Sequence, residues 1–118
     1  MSERTYLDFL NDILYSLQKA QSFIIGMTFE EFSTDEKTHF AVVRALEIVG
    51  EATKRLPPDL KNQYPDVPWR EMAGMRDKLV HDYFGVNLQV VWETARDEAP
   101  ALESAMRSLL QRTLPDQE

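Results

Sequence analysis

The chain has 118 residues, of which 43% are hydrophobic and 28% charged, and it contains no cysteine. This length and balance predict a single folded domain over residues 1–118 and exclude a disordered chain. The lack of cysteine excludes disulfides, thiolate nucleophiles and sulfur-ligated zinc, and it fits a reducing cytoplasm. The longest apolar stretches, such as Phe23-Ile24-Ile25, are far shorter than the roughly 20 residues of a membrane span. We therefore expect a cytoplasmic protein with no membrane partner.

The formal net charge is −7 at pH 7, from 13 basic and 20 acidic residues. Lys and Arg contacts to phosphate supply most of the non-specific affinity for nucleic acids, so attraction of RNA by the whole surface is excluded. Any RNA must therefore bind at a local basic patch. The acidic surface also suits a basic protein partner.

Two long amphipathic helices are predicted in the first half of the chain. Apolar residues recur at helical spacing over Thr5–Ile25, and Gly26 is a natural end for this helix. Ser33 and Glu36 have the spacing of a capping box, which predicts the start of a second helix. The second helix runs to Leu56, where two consecutive prolines end it.

Prolines and glycines divide the second half of the chain. Pro57–Pro68 is predicted to be a connection with one helical turn, followed by a third helix over Trp69–Asp82. Gly74 is a weak point or kink in that helix, and Gly85 ends it. Asn87 is a suitable cap for a fourth helix, and a last helix is predicted around position 100.

The fold class follows from these periodicities. The sequence contains no alternating strand pattern and no Asn-Gly hairpin signal. Helical spacing with short connections therefore predicts an all-α, up-and-down bundle of four to five helices.

The two histidines, His39 and His81, are the candidate general acids or bases. His39 has no neighbours that suggest a ligand set, and we interpret it as a surface or boundary residue. His81 follows Arg76, Asp77 and Lys78 on the third predicted helix. Cleavage of RNA without a metal needs a base for the 2′-hydroxyl, an acid for the leaving oxygen and positive charge at the phosphate. These residue types supply those roles, although an Arg and a His five apart also occur by chance or for packing.

The helical geometry predicts how these residues would meet. On an ideal helix Arg76 and His81 would lie roughly 140° apart, so they would flank a groove and not share a stripe. Asp77 lies four residues before His81 and would contact and orient the imidazole. Such a site closes more easily if a second copy contributes residues across a symmetric interface, so we expect a homodimer.

Several segments form a linked pattern along the chain. Arg76-x4-His81-x-Tyr83 lies within residues 75–86, and Val91-Trp92-Glu93-Thr94 follows it. Arg44–Ala52 on the second predicted helix and Pro68-Trp69 precede it. Together these segments resemble the HepT-like branch of the HEPN ribonuclease superfamily, whose toxins carry an Arg-x4-His-x-Tyr motif. The resemblance extends from the first helix to position 100.

The resemblance implies a HEPN-like fold and a metal-independent endoribonuclease, the toxin of a type II toxin–antitoxin pair, whose dimer sets two motifs along one cleft. Arg76 and His81 would be the catalytic pair and Asp77 would support them, while Lys78 adds a second cation. A cognate minimal nucleotidyltransferase antitoxin would neutralise the toxin by AMPylating Tyr83, since a bulky anionic adduct there would repel RNA phosphate. We expect no metal and no cofactor.

Other interpretations stay open. The chain is alternatively a non-catalytic binding or scaffold subunit that accompanies a nucleotidyltransferase, in which Arg76 and His81 bind a nucleotide or brace the dimer. A purely structural bundle is a third interpretation, which the cluster of Arg, Lys, His and Tyr disfavours. The two tryptophans are interpreted as core or interface aromatics in preference to base-stacking platforms: Trp69 and Trp92.

The remaining charged residues also have two interpretations. Three residues of the second predicted helix either form a solvated ion-pair face or lean toward the groove: Arg44, Glu47 and Glu51. Three further cations are either plain surface charge or members of the local basic patch: Lys54, Arg55 and Arg70.

Overall fold

The computed structural model describes residues 5–81 and 85–113, and helices make up nearly all of their regular structure. The α-helices are α1 (Tyr6–Phe23), α2 (Phe29–Thr34), α3 (Glu36–Lys54), α4 (Pro58–Gln63), α5 (Trp69–Ala73), α6 (Met75–Leu79), α7 (Leu88–Glu93) and α8 (Ala99–Thr113). A π-helical turn (Thr94–Glu98) joins α7 to α8, and two short strands, β1 (Val80–His81) and β2 (Gly85–Val86), pair antiparallel. None of the described helices is long and apolar enough to cross a bilayer.

The core lies between α1, α3 and the other helices that pack on them. Both long helices bury a stripe of residues spaced three or four apart: Leu10, Ile13 and Leu17 on α1, and Val42, Leu46 and Val49 on α3. Burial of one such side chain contributes about 1.5–3 kcal/mol, so the two stripes are a main source of stability. α8 packs along α1, and α5 and α6 pack on α3.

The first helix is close to its prediction. Thr5 caps α1 in a capping box: its hydroxyl accepts a hydrogen bond from the Asp8 amide at 3.4 Å, and the Asp8 carboxylate accepts one from the Thr5 amide at 3.1 Å. α1 ends at Phe23, and Gly26 follows with a φ of +80°, which glycine adopts without steric cost. The single helical turn predicted between the prolines is present as α4.

The start of α3 differs from the prediction. Ser33 lies inside α2, so the predicted capping box that begins with Ser33 is wrong. Asp35 is the cap of α3, and its carboxylate accepts a hydrogen bond from the Thr38 amide at 3.1 Å. Aspartate caps a helix at least as well as serine. A true capping box occurs one element earlier, between Thr28 and Glu31 at the start of α2.

The predicted third helix is divided and shorter than expected. It breaks at Gly74, as predicted, into α5 and α6. It ends at Leu79 and does not continue to Asp82, because Val80 has extended backbone angles, φ −113° and ψ 126°. β-branched residues favour the extended backbone over the helix.

A strand pair that the sequence pattern did not predict follows α6. Val80 pairs with Val86, and His81 pairs with Gly85. Gly85 has a φ of +82° and begins β2, so it does not end a helix as predicted. Strands of two residues are too short to show alternation, which is why the pattern missed them.

The C-terminal helices begin where expected. Asn87 caps α7, and its side chain accepts a hydrogen bond from the Val90 amide at 3.2 Å. The π-helical turn ends at Glu98, two residues before Pro100. A proline ring clashes with the carbonyl four residues earlier in a regular helix, and a wider turn at that point relieves the clash.

The helices of residues 5–81 and 85–113 therefore form four columns: α1, α3, α5 with α6, and α7 with α8, while α2 and α4 lie in the connections. The predicted all-α bundle is confirmed. Its number of separate α-helices among the described residues is larger than predicted, because Gly74 and the prolines interrupt the columns.

Candidate functional site

The short helix α6 presents three consecutive charged residues to solvent: Arg76, Asp77 and Lys78. Met75 and Leu79 on either side of them are buried and anchor the helix to the core. Residues four apart lie on one face of a helix, so burying these two turns the intervening residues outward. Arg76, Asp77 and Lys78 are therefore all exposed to solvent.

Arg76 is paired with a carboxylate of α3. Its Nε lies 3.8 Å from Oε2 of Glu47, and the Arg76 side chain is 67% exposed while that of Glu47 is only 23% exposed. Glu47 also lies 3.6 Å from Nη1 of Arg44. The same Nη1 donates a hydrogen bond to Glu51 at 3.2 Å. Of the three residues left open by the sequence, Glu47 thus leans toward the candidate site, while Glu51 contacts Arg44 on the exposed helix surface.

A glycine on α3 makes the Glu47–Arg76 pair geometrically accessible. A Cβ at Gly50 would lie 3.3 Å from the Met72 carbonyl oxygen and 3.4 Å from both the Ala73 carbonyl oxygen and the Met75 Cβ. α3 and the α5–α6 segment therefore approach each other so closely that a side chain at position 50 would require the neighbouring atoms to shift by a few tenths of an ångström. Gly50 lies one turn along α3 from Glu47, so this close approach brings α6 within reach of the carboxylate.

Lys78 points to a different part of the molecule. Its Nζ donates a hydrogen bond to Oε1 of Glu98 at 2.6 Å, and Glu98 is the last residue of the π-helical turn. The two side chains are 38% and 48% exposed, so the solvent screens this ion pair. Glu98 was not among the residues predicted for the site. The nearby Pro100 is a signal for an irregular helix at this point, but it does not indicate which residue pairs with Lys78.

His81 lies on β1 and not on a helix, which corrects the predicted geometry. Its backbone pairs with Gly85. The predicted separation of 140° from Arg76 assumed a continuous helix, so that geometry is wrong. The predicted contact from Asp77 to the imidazole depends on the His81 side chain and stays a prediction. The position of the His81 side chain and the whole of Tyr83 lie outside the described residues, and their roles stay predictions.

The cations near the candidate site are interspersed with acids. Lys54, Arg55 and Arg70 are exposed, as expected. Arg55 lines a shallow groove of about 290 Å³ together with Arg44, Asp12 and Glu51. Because Arg44, Arg76 and Lys78 each have a carboxylate partner, the surface described around α6 has mixed charge. In the described part of the chain, no three His, Cys, Asp or Glu side chains are grouped to hold a metal ion.

The tryptophans and His39 have structural positions. Trp69 is buried, and its Nε1 donates hydrogen bonds to the carbonyl oxygens of Tyr64 at 3.0 Å and Lys61 at 3.2 Å. Trp92 is also buried, with its ring centroid 5.3 Å from that of Phe32. His39 is partly buried at the boundary of the core, and its ring contacts that of Phe32 edge-on. The interpretation of both tryptophans as core residues is confirmed.

An apolar groove adjoins the Glu47–Arg76 pair. It has a volume of about 520 Å³ and is lined by His39, Phe40, Val43, Arg44, Glu47, Val86 and Leu88. The Phe40 side chain is 66% exposed and Val86 is 41% exposed. A second groove of about 450 Å³ on the α1 side of α3 contains Tyr15, Phe23 and Ile48, and it also borders Arg44.

Comparison with known proteins places this arrangement in a family. The model of the family described as ribonuclease HepT-like matches residues 13–109. A protein of Thermococcus cleftensis named as a probable ribonuclease HepT is 47% identical, over 91% of this chain and 97% of the relative. A Methanocaldococcus jannaschii protein named provisionally as an RNase is 43% identical, over 93% of this chain and 91% of the relative. No solved structure matches the chain significantly.

These matches agree with the all-α fold. An all-α bundle of this size, with matches to proteins named as ribonucleases over most of its length, defines the class as HEPN-like helical ribonucleases. The chain belongs to the HepT-like ribonuclease family.

Proposed function

We propose that this protein is a metal-independent endoribonuclease, the toxin of a type II toxin–antitoxin pair, with Arg76 and His81 as its catalytic pair. The observation that carries the proposal is the placement of Arg76. Its side chain is mostly exposed on α6, it lies five residues before His81, and its contact with Glu47 is made through Nε. The terminal nitrogens are then suitably placed to meet a phosphate.

The proposed reaction is an internal transesterification. The 2′-hydroxyl loses its proton, its oxygen bonds to the adjacent phosphorus, the bond to the 5′-oxygen breaks, and that oxygen gains a proton. His81 is the residue suited to these proton transfers near neutral pH, and Arg76 stabilises the charge that develops on the phosphoryl oxygens. The products are a 2′,3′-cyclic phosphate and a 5′-hydroxyl end. None of these steps needs a metal, so cleavage should persist in EDTA.

Asp77 and Lys78 have supporting roles in this proposal. Asp77 is exposed beside Arg76 on α6. Lys78 is exposed on the same helix, and its ammonium donates a hydrogen bond to Glu98. Its Nζ has further donor capacity and is partly exposed, so it adds positive potential for a phosphate farther along the strand.

A homodimer is part of the same proposal, and the apolar groove on α3 is the face we assign to the second copy. Exposed Phe40 and Val86 are typical of a surface that another protein covers. The groove shares Arg44 and Glu47 with the ion pairs that lead to Arg76. A copy bound there by two-fold symmetry would therefore bring a second Arg76–His81 motif close to the first.

Neutralisation by a cognate nucleotidyltransferase antitoxin completes the proposal. Tyr83 lies two residues after His81 in the sequence, between two positions that pair in the strands, His81 and Gly85. Transfer of AMP to its hydroxyl would add a bulky anionic group beside the catalytic histidine. Such a group would repel RNA phosphate and block access of RNA to the catalytic pair.

The test is cleavage of RNA by the purified protein in EDTA. We expect the wild type and Tyr83→Phe to cleave, and His81→Ala and Arg76→Ala to lose at least about a hundredfold in rate, as is usual for loss of an acid–base group. Product ends should be 2′,3′-cyclic phosphate and 5′-hydroxyl. Incubation with the nucleotidyltransferase and ATP should silence the wild type and leave Tyr83→Phe active.

The chain offers matched controls for this experiment. Arg107→Ala removes an exposed arginine of α8, and Arg70→Ala removes one of α5, the helix before α6. Both variants should cleave as the wild type does. A folded His81→Ala protein that still cleaves RNA would contradict the catalytic assignment. Inactivity of every variant on several RNAs, with Tyr83 shown unmodified by mass spectrometry, would favour a binding or scaffold subunit instead.

A further inference from the structure

We propose that Glu47 is a positioning residue, which holds the guanidinium of Arg76 for catalysis and weakens RNA binding in doing so. The inference rests on the proposed function of Arg76 and concerns a residue on a different helix. Glu47 lies on α3, 29 positions before Arg76 in the sequence, and the two meet only because the helices pack against each other.

The contact uses the part of the guanidinium that a phosphate does not need. Oε2 of Glu47 lies 3.8 Å from Nε of Arg76. A carboxylate at Nε restricts rotation of the planar group and leaves the fork of terminal nitrogens for a bidentate contact to phosphate oxygens. Glu47 therefore orients Arg76 without competing for the nitrogens that would bind the substrate.

Glu47 is itself held in place more firmly than the other acids of this surface. Its side chain is 23% exposed, whereas that of Glu51, one turn further along α3, is 57% exposed. The other oxygen of Glu47, Oε1, lies 3.6 Å from Nη1 of Arg44. A half-buried carboxylate between two arginines has fewer orientations than an exposed one, so it is a better support for a catalytic group.

The same negative charge disfavours RNA. A phosphate bound at Arg76 would lie close to Glu47, and two anions at short range repel each other. Removal of the charge should therefore have opposite effects on two kinetic parameters. The turnover number kcat should fall because Arg76 loses its orientation, while KM should stay equal or fall because the repulsion is removed.

The experiment measures kcat and KM on a fluorescent RNA oligonucleotide for the 118-residue protein, for Arg76→Ala as a reference and for three further variants. Glu47→Gln should lower kcat about tenfold, a moderate loss for misorientation of a catalytic group, with an equal or lower KM. Glu51→Gln is the matched control, because it removes the same charge from the same helix and its ion pair is with Arg44. It should change KM alone.

The third variant tests whether Glu47 acts through Arg76. In the Arg76→Ala background, adding Glu47→Gln should lower kcat no further, since residues that act as a unit are not additive. An equal tenfold loss in that background would overturn the proposal, as would a kcat for Glu47→Gln within about twofold of the wild type. Thermal unfolding of each variant by circular dichroism shows whether the bundle is intact.

A second measurement does not depend on activity. In ¹⁵N relaxation measurements, the Nε–H signal of Arg76, assigned by its loss in Arg76→Lys, should have a higher order parameter in the wild type than in Glu47→Gln, because the ion pair restricts the side chain. The order parameter should be unchanged in Glu51→Gln. Equal order parameters in all three proteins would refute the positioning role even if the wild type cleaves no RNA. Failure of cleavage alone would contradict the proposed function and leave this result to stand by itself.

Discussion

One face of α3 packs in the core of the bundle, and the opposite face borders the candidate site. One face buries Val42, Leu46 and Val49 completely against the rest of the bundle. The opposite face carries Phe40, which is 66% exposed, and Glu47, which contacts Arg76. On a helix with 3.6 residues per turn, the two sets lie on nearly opposite sides.

This difference separates stability from function within one helix. Substitutions on the buried face should lower the free energy of unfolding of the chain, since they remove contacts inside the core. Substitutions on the uncovered face should leave the chain folded and alter what it binds or cleaves. Because both faces belong to one helix, variants of one serve as controls for the other.

The largest effect is expected for Leu46→Ala. Leu46 is fully buried, so the substitution removes apolar contacts and leaves a cavity. The free energy of unfolding should fall by about 2–5 kcal/mol. Urea titration followed by circular dichroism measures this change, and a loss below 1 kcal/mol would show that the site collapses or that the core lies elsewhere.

Phe40→Glu is the control from the uncovered face. Its effect on the free energy of unfolding, measured at low protein concentration, should stay within about 0.5 kcal/mol, as for most surface changes. At higher concentration it should shift the mass measured by light scattering from dimer to monomer, because it places charges in the proposed interface. An unchanged dimer mass would exclude the α3 groove as the interface.

An intermediate effect is expected for Gly50→Val. The added side chain would meet the Met72 carbonyl oxygen, which lies 3.3 Å from the Cβ position, and it would force α3 away from α5 and α6. We expect a loss of about 1–3 kcal/mol in unfolding free energy by urea titration. Gly50→Ala should lose less, because alanine favours the helix by about 1 kcal/mol over glycine. Equal stability of the two variants would contradict the close packing.

The smallest effect concerns acid stability through the cap of α3. The hydrogen bond from the Thr38 amide holds the pKa of Asp35 below its usual value. A lowered pKa in the folded state adds stability above the unfolded pKa, which is lost as the pH falls through the folded pKa. Asp35→Asn keeps the hydrogen-bond acceptor and removes the titration. The drop in unfolding free energy between pH 7 and pH 3 should therefore be smaller in the variant, and an unchanged drop would contradict this cause.

Much of the fold was predictable because helical periodicity is local. The spacing of Leu10, Ile13 and Leu17 predicts α1, and Asn87 predicts the start of α7. The end of α6 was not predictable in this way. Nothing in the local pattern distinguishes a helix that continues to Asp82 from one that turns into a strand at Val80, since the strand exists only through its pairing with Val86.

The candidate site divides in the same way. Arg76, Asp77 and Lys78 could be singled out from the sequence because they are adjacent on one short segment. Their partners could not, because Glu47 and Glu98 come from distant segments that only packing brings to α6. The prediction of a local basic patch was incomplete for the same reason. The sequence shows the cations, but it does not show that carboxylates lie beside them.

The sequence by itself determined the helical class, the family and the residues that carry the proposed chemistry, because each depends on composition, periodicity or a short linked motif. Tertiary structure alone decided which carboxylate holds which cation and which face of α3 stays uncovered. It also decided that His81 lies on a strand and not on the helix of Arg76. These features depend on contacts between residues far apart in the chain, and such contacts form only when the helices pack.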